Sequence, residues 1–218
     1  LVIAGAGTGK TRVVTYRTAY LAESGVPPER IVLLTFTRRA AREMLARAQA
    51  LTGLELRDVE GGTFHAFAHR LLRKYSRQAG LEPNFVILDQ ADSEDAVKWV
   101  RDEMRLGEGE RRFPNKSTVH GIISKARNKG VSIADVVQRE YVLFEDHIAD
   151  VERIALGYEE LKRTRELVDF DDLLFLMRDL LDGPYGRELT GGFRYVMADE
   201  YQDTNLVQAD IVRLLAQV

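Results

Sequence analysis

Eight residues, Ala4-Gly5-Ala6-Gly7-Thr8-Gly9-Lys10-Thr11, leave this chain few ways to fold. They lie between the apolar triplet Leu1-Val2-Ile3 and a helical pattern over Lys10 to Ala22. Glycines at alternate positions let consecutive backbone N–H groups turn inward, which a run of residues carrying Cβ atoms resists. An apolar run before such a turn and a helical pattern after it predict a strand–loop–helix unit. The N–H groups then gather at the positive end of the helix, where phosphate oxygens are best accommodated. The stretch matches the phosphate-loop pattern except that Ala4 stands at its first position in place of Gly. Ala4 to Thr11 would therefore cradle a nucleotide's phosphates. Lys10 would reach the β- and γ-phosphates, and the Thr11 hydroxyl would bind Mg²⁺.

The first 80 residues continue the alternation. Ile31 to Leu34 is a continuous apolar run, as expected of a parallel strand covered on both faces. Ala41, Met44, Leu45 and Ala48 form a stripe that makes Arg38 to Ala50 helical. Val59 to Phe64 is read as a third strand and His65 to Ala79 as a third helix closed by Gly80. Strand and helix in alternation predict an α/β fold, a parallel sheet of the phosphate-loop NTPase kind with helices on both faces and right-handed crossovers. From Phe85 to Val168 the pattern turns almost entirely helical, with Ser117 as an N-cap, Gly130 as a stop and a polar loop over Gly107 to Asn115. Strand signals return at Phe193 to Ala198, followed by a helix capped at Thr204-Asn205 with Val207, Ile211, Leu214 and Val218 on one face. The expected organisation is an α/β domain over 1–84 and 169–218, interrupted by a mainly helical inserted subdomain over 85–168.

A phosphate loop needs a metal-holding carboxylate on a second strand. Asp199-Glu200 follows the apolar run Tyr195 to Ala198, at the strand end where an open parallel sheet places its active site. Asp199 would hold Mg²⁺ through its water shell, and Glu200 would orient or deprotonate the attacking water. Asp169, Asp171 and Asp172 compete for the role. They precede the helical run Leu173 to Leu181, where first-turn acids suit the helix dipole, and Asp199-Glu200 is preferred because it follows a strand.

Three further stretches narrow the class: Thr35-Phe36-Thr37-Arg38-Arg39-Ala40-Ala41, Gly62-Thr63-Phe64-His65, and Asp199-Glu200-Tyr201-Gln202-Asp203-Thr204-Asn205. With Ala4 to Thr11 and Asp169-Phe170-Asp171-Asp172-Leu173-Leu174, the chain resembles the UvrD/PcrA/Rep family of DNA helicases over its whole length. That resemblance implies a RecA-like motor domain that uses ATP and Mg²⁺ and acts as part of a 3′→5′ DNA helicase. It implies that Lys10 and Glu200 serve catalysis, and that Thr11 and Asp199 serve the metal. Thr35, Phe36 and Thr37 would lie on single-stranded DNA with Phe36 offering a ring to a base, and Thr63, Phe64 and His65 would touch the same strand. The inserted helices would approach the junction of single and double strand. The chain departs from the family in having Arg38 and Arg39 where Asn and Lys are common, and Ala66 where Ser or Gly is common. The upstream glutamine segment, the second motor domain and its arginines are not in this sequence. The chain is therefore expected to be a piece of something longer, with weak nucleotide and DNA binding and almost no turnover alone.

Charge supports a nucleic-acid reading locally. Overall, 31 Lys and Arg face 34 Asp and Glu, a net charge of −3, so polyanions cannot be held by bulk charge. Yet Arg111, Arg112, Lys116, Lys125, Arg127 and Lys129 lie in a stretch without an acid, as do Arg70, Arg73, Lys74 and Arg77. Such clusters neutralise backbone phosphates, and Lys125, Arg127 and Lys129 are candidates for contact with duplex DNA. Arg39, Glu43 and Arg47, four apart, read instead as an ion-pair ladder. His65 and His69 are four apart, but the residues between them include no metalloprotease Glu. Trp99 and the Leu-rich stripe of 173–181 are read as core. No Cys is present, which excludes disulfides and fits a cytoplasmic protein, and no apolar run approaches the roughly 20 residues of a membrane span. Two other classes remain: a helicase part of a RecB/AddA-like helicase–nuclease, and a phosphate-loop kinase or nucleotide switch without a nucleic-acid role.

Overall fold

A computed structural model describes residues 7–107 and 113–216. The expected strand at Leu1-Val2-Ile3, the loop residues Ala4, Gly5 and Ala6, the basic pair Arg111-Arg112 and the helix-face residue Val218 lie outside the described residues. Two compact units form, one from residues up to Ala79 together with those from Leu174, the other from Gly80–Leu173.

In the first unit, helix α1 (Lys10–Glu23) begins at Gly9, whose φ of 94° is left-handed backbone that glycine enters freely. Strand β1 (Ile31–Thr35) follows, then α2 (Arg38–Thr52), β2 (Glu60–Thr63) and α3 (Phe64–Lys74). α3 is shorter than expected, because the chain leaves the helix after Lys74 and turns as far as Gly80. Ile31 and Leu33 pack into one core with Leu21 and Ala22 of α1 and Met44 and Ala48 of α2. Val32 and Leu34 point the other way along the strand and are equally buried, so β1 is covered on both faces, as its unbroken apolar run required. The sheet is parallel with order β2-β1-β5. Here β5 is Tyr195–Ala198, which aligns Ile31 with Tyr195 and Leu34 with Ala198, while Thr35 pairs with Thr63. The C-terminal ends of all three strands therefore share one edge. β2 approaches β1 so closely at Gly61 that a Cβ there would lie 2.1 Å from the Leu33 carbonyl oxygen.

The second unit holds β3 (Val86–Ile87), α4 (Gln90–Glu103), α5 (Lys116–Lys129), α6 (Ile133–Glu140), α7 (Ile148–Thr164) and β4 (Leu167–Val168). Val97, Val100, Val119, Ile122, Val137, Ile154 and Tyr158 make its core. Three expectations are corrected here. The region is mainly helical, but strands do occur before Phe193, since Val86 and Ile87 pair in parallel with Leu167 and Val168, strands too short to show a period. The cap of α5 is Asn115, whose side chain accepts from the Thr118 N–H at 2.8 Å, while Ser117 donates to that same oxygen. Trp99 is 46% exposed, because α4 turns Ser93, Val97 and Val100 to the core and Trp99 away from it.

The unit extends to Leu173 and so includes an ion cluster at its C-terminal end. Lys162 Nζ, 3% exposed, lies 2.7 Å from Asp169 and 2.8 Å from Asp172, and Asp172 also binds Arg127. Asp169 and Asp172 cap helix α8 (Phe170–Asp182) through reciprocal bonds to each other's N–H groups. Along it, Leu173, Leu174, Met177, Leu180 and Leu181 are buried as expected. Helix α9 (Gly186–Thr190) precedes β5, and α10 (Leu206–Leu215) is capped by Asn205 in a reciprocal pair with Gln208. No helix among the described residues is long and apolar enough to cross a membrane.

Candidate functional site

The strand ends supply the site. β1 ends at Thr35 and leads into Phe36-Thr37, β2 ends at Thr63, and β5 delivers Asp199, whose N–H is held by the Leu34 carbonyl at 2.9 Å. Facing them, α1 starts at Lys10, and the Thr11 hydroxyl donates to Asp199 Oδ2 at 3.1 Å. The two residues expected to share a metal thus meet across 188 positions of sequence. A hydroxyl and a carboxylate are hard oxygen donors of the kind Mg²⁺ accepts, so the residues fit that ion. Asp169 also follows a strand, β4, so the criterion that separated it from Asp199 fails. Ion pairing separates them instead, because Asp169 is already bound to Lys162.

Two clefts open at this edge. One, of about 230 Å³, is lined by Thr11, Asp199 and Glu200 together with Phe36, Thr37, Glu43 and Arg47. The other, of about 700 Å³, begins at Gly7, Thr8 and Gly9 and runs along α1 past Arg12, Tyr16, Arg17 and Tyr20. Reasoning from sequence alone missed this aromatic and basic face of α1, although Val13, Tyr16 and Tyr20 carry a helical spacing that could have revealed it. Glu200 adopts φ 52° and ψ 42°, left-handed backbone for a residue with a Cβ.

The residues expected on DNA separate into exposed and buried sets. Phe36 is 38% exposed and its ring lies 5.9 Å from that of Phe64, which is only 2% exposed. Phe64 therefore supports Phe36 from the core and does not itself present a face. Thr35 is 1% exposed, and its hydroxyl donates to the Thr37 carbonyl at 2.9 Å, so its side chain shapes the loop from within. Thr37 caps α2 by accepting from the Ala40 N–H, and Thr63 caps α3 by accepting from the Ala66 N–H. His65 is partly exposed at the first turn of α3. One turn on, His69 accepts from Arg73 at 3.1 Å, and burial together with Arg73 and Arg70 lowers its pKa.

The basic run on α5 is less bare than its sequence. Lys125 and Lys129 lie 2.6 and 2.7 Å from the two oxygens of Glu140 on α6, Lys116 pairs with Asp95, and Arg127 pairs with Asp172 and Glu159. The two lysines hold the Glu140 carboxyl down at about 2. The Arg39–Glu43 pair forms at 2.8 Å, and Arg47 stands 4.0 Å from the same carboxylate, as the ladder required.

The family model for the UvrD/REP helicase N-terminal domain matches residues 1–218. The chain is 39% identical to the ATP-dependent DNA helicase PcrA of Leuconostoc citreum over 100% of its own length and 29% of that protein's. It is 37% identical to the proteins of the same name from Staphylococcus epidermidis and Staphylococcus aureus, over 99% of its length and 29% of theirs.

Proposed function

Since the chain belongs to the UvrD/REP helicase N-terminal domain family, we propose that it is the ATP-binding, RecA-like part of an ATP-dependent DNA helicase that moves 3′→5′ along one strand. The bond between Thr11 and Asp199 carries the reading, because it joins the start of α1 to the end of β5 at the edge where Phe36 is exposed. Lys10 and the backbone from Ala4 to Thr11 hold the triphosphate. Thr11 and Asp199 hold Mg²⁺, which supplies charge neutralisation on the phosphate oxygens. The nucleoside extends along the cleft beside Arg12 and Tyr16, where a guanidinium and a ring offer flat faces. Glu200 orients or deprotonates the attacking water.

Single-stranded DNA crosses the same edge, with Phe36 as a stacking platform and the N–H groups and hydroxyls near Thr37, Thr63 and His65 against the sugar–phosphate chain. Phe36 and Thr37 line one cleft with Thr11, Asp199 and Glu200, so a change in phosphate occupancy is felt where the base sits. Lys125 and Lys129 serve the junction of single and double strand. The chain spans about 29% of the length of the relatives it matches, and unwinding belongs to the longer protein.

The test is a titration of the chain with ribose-labelled fluorescent ATP with and without Mg²⁺, then with a labelled oligonucleotide at two salt concentrations. Mg²⁺-dependent nucleotide binding that Lys10→Ala abolishes, and oligonucleotide binding that salt weakens, are expected. A folded chain that ignores ATP in the presence of Mg²⁺ overturns the reading. Nucleotide binding without oligonucleotide binding at low salt points to a nucleotide switch.

A further inference from the structure

Glu200 sits on an unusual piece of backbone. Its left-handed φ of 52° ends β5 abruptly, and a single 3₁₀ turn, Tyr201–Asp203, follows. The Asp203 N–H donates to the Glu200 carbonyl at 2.9 Å, and the Thr204 hydroxyl donates to the Tyr201 carbonyl at 2.8 Å. The turn is anchored at both ends, by Asp199 on the β1 edge and by the Asn205–Gln208 cap of α10. This backbone folds Gln202 back toward the residue two positions earlier, so that Gln202 Nε2 donates to Glu200 Oε2, with a longer bond of 3.4 Å to Asp203.

From this geometry we infer that Gln202 is a positioning residue for Glu200. The inference deepens the proposed function and rests on Glu200 acting on the attacking water. A Glu side chain at a partly open cleft has several staggered arrangements of similar energy, most of which place its carboxylate away from the reacting centre. A donor two residues along the same anchored turn removes most of them, and fixing a reacting group in advance is a direct contribution to rate. The type of donor matters. A guanidinium or ammonium would spend the charge of Glu200 on an ion pair, whereas a neutral amide holds one oxygen and leaves the other free for water. The strained φ and the amide act together, one aiming the Cβ and the other holding the carboxylate at its far end.

A double-mutant cycle on ATP hydrolysis by the full-length protein, saturated with single-stranded DNA, tests this. Gln202→Ala and the isosteric Gln202→Glu, which has no donor, are each expected to lower kcat about tenfold while KM for ATP stays within about twofold. In a Glu200→Gln background, already slow, either change is expected to have no further effect, because there is no carboxylate left to position. Mg²⁺-nucleotide binding, measured in parallel, should be the same in all variants and reports that they fold. The inference is overturned if Gln202→Ala keeps the parental kcat, if it raises KM alone, or if it costs the same factor in both backgrounds. If Glu200→Gln alone hydrolyses ATP at the parental rate, the reading of Glu200 itself fails and this inference falls with it.

Discussion

Thr11 Oγ1 donates to Asp199 Oδ2 at 3.1 Å, joining the first turn of α1 to the end of β5. Asp199→Asn can still accept that hydrogen bond but loses its charge. The variant should fold, and its Mg²⁺ requirement for tight nucleotide binding should shift by about 10- to 100-fold. A Mg²⁺ titration with fluorescent nucleotide checks this, and an unchanged midpoint would remove Asp199 from the metal site.

Phe36 and Phe64 touch but should respond differently. Phe36→Ala should weaken oligonucleotide binding by about 1–3 kcal/mol with little loss of stability. Phe64→Ala removes a buried ring and should cost about 3–5 kcal/mol in denaturant unfolding. Equal stability losses would contradict the exposure that separates them.

Lys162 is a buried cation of the helical unit, held by Asp169, Asp172 and Glu159. Lys162→Met leaves two buried carboxylates with less compensation, and should destabilise that unit by about 3–5 kcal/mol. Urea unfolding followed by the fluorescence of Trp99, which lies in this unit, is a direct measure.

The same cluster sets a pH window. Burial pushes Asp169 up, but the Lys162 charge outweighs it and holds the carboxyl below its ordinary value of 3.8. Burial likewise pushes Lys162 down, and Asp169, Asp172 and Glu159 more than reverse this, lifting it above 10.5. The depressed acid contributes stability above 3.8 that is lost as pH falls through its folded value. The raised base contributes stability below 10.5 that is lost as pH rises through its own. Unfolding midpoints measured across pH should therefore fall at both extremes, and Lys162→Met should flatten the alkaline limb.

Glu140 ties up two lysines that would otherwise face solvent. If Lys125 and Lys129 belong to the DNA track, Glu140→Gln should tighten DNA binding and steepen its log–log salt dependence by about one to two. An unchanged slope would take α5 off that track.

Much of the fold could be read in advance because it depends on local pattern. Ile31 to Leu34 is apolar throughout and is buried on both faces. Asn205 caps α10 as its residue type and place suggested. The misreadings share a cause. Val86-Ile87 and Leu167-Val168 are strands only because they find each other 81 positions apart, and two residues carry no period. Trp99 reads as core by its type, yet the face of α4 on which it falls is turned away from the unit's interior. The basic run of α5 read as bare because its acids come from Glu140, Glu159 and Asp172, all outside the run.

Order of elements, helix caps and the chemical kinds of residue offered to a nucleotide all follow from neighbours within a few positions, and composition and spacing record them directly. Which phenylalanine is open, which lysines are already paired, and which of two strand-end aspartates meets Thr11 depend on partners brought in from far along the chain. Burial and charge pairing are properties of surroundings, so these choices exist only once the sheet register and the packing of α1, α5 and α7 are in place.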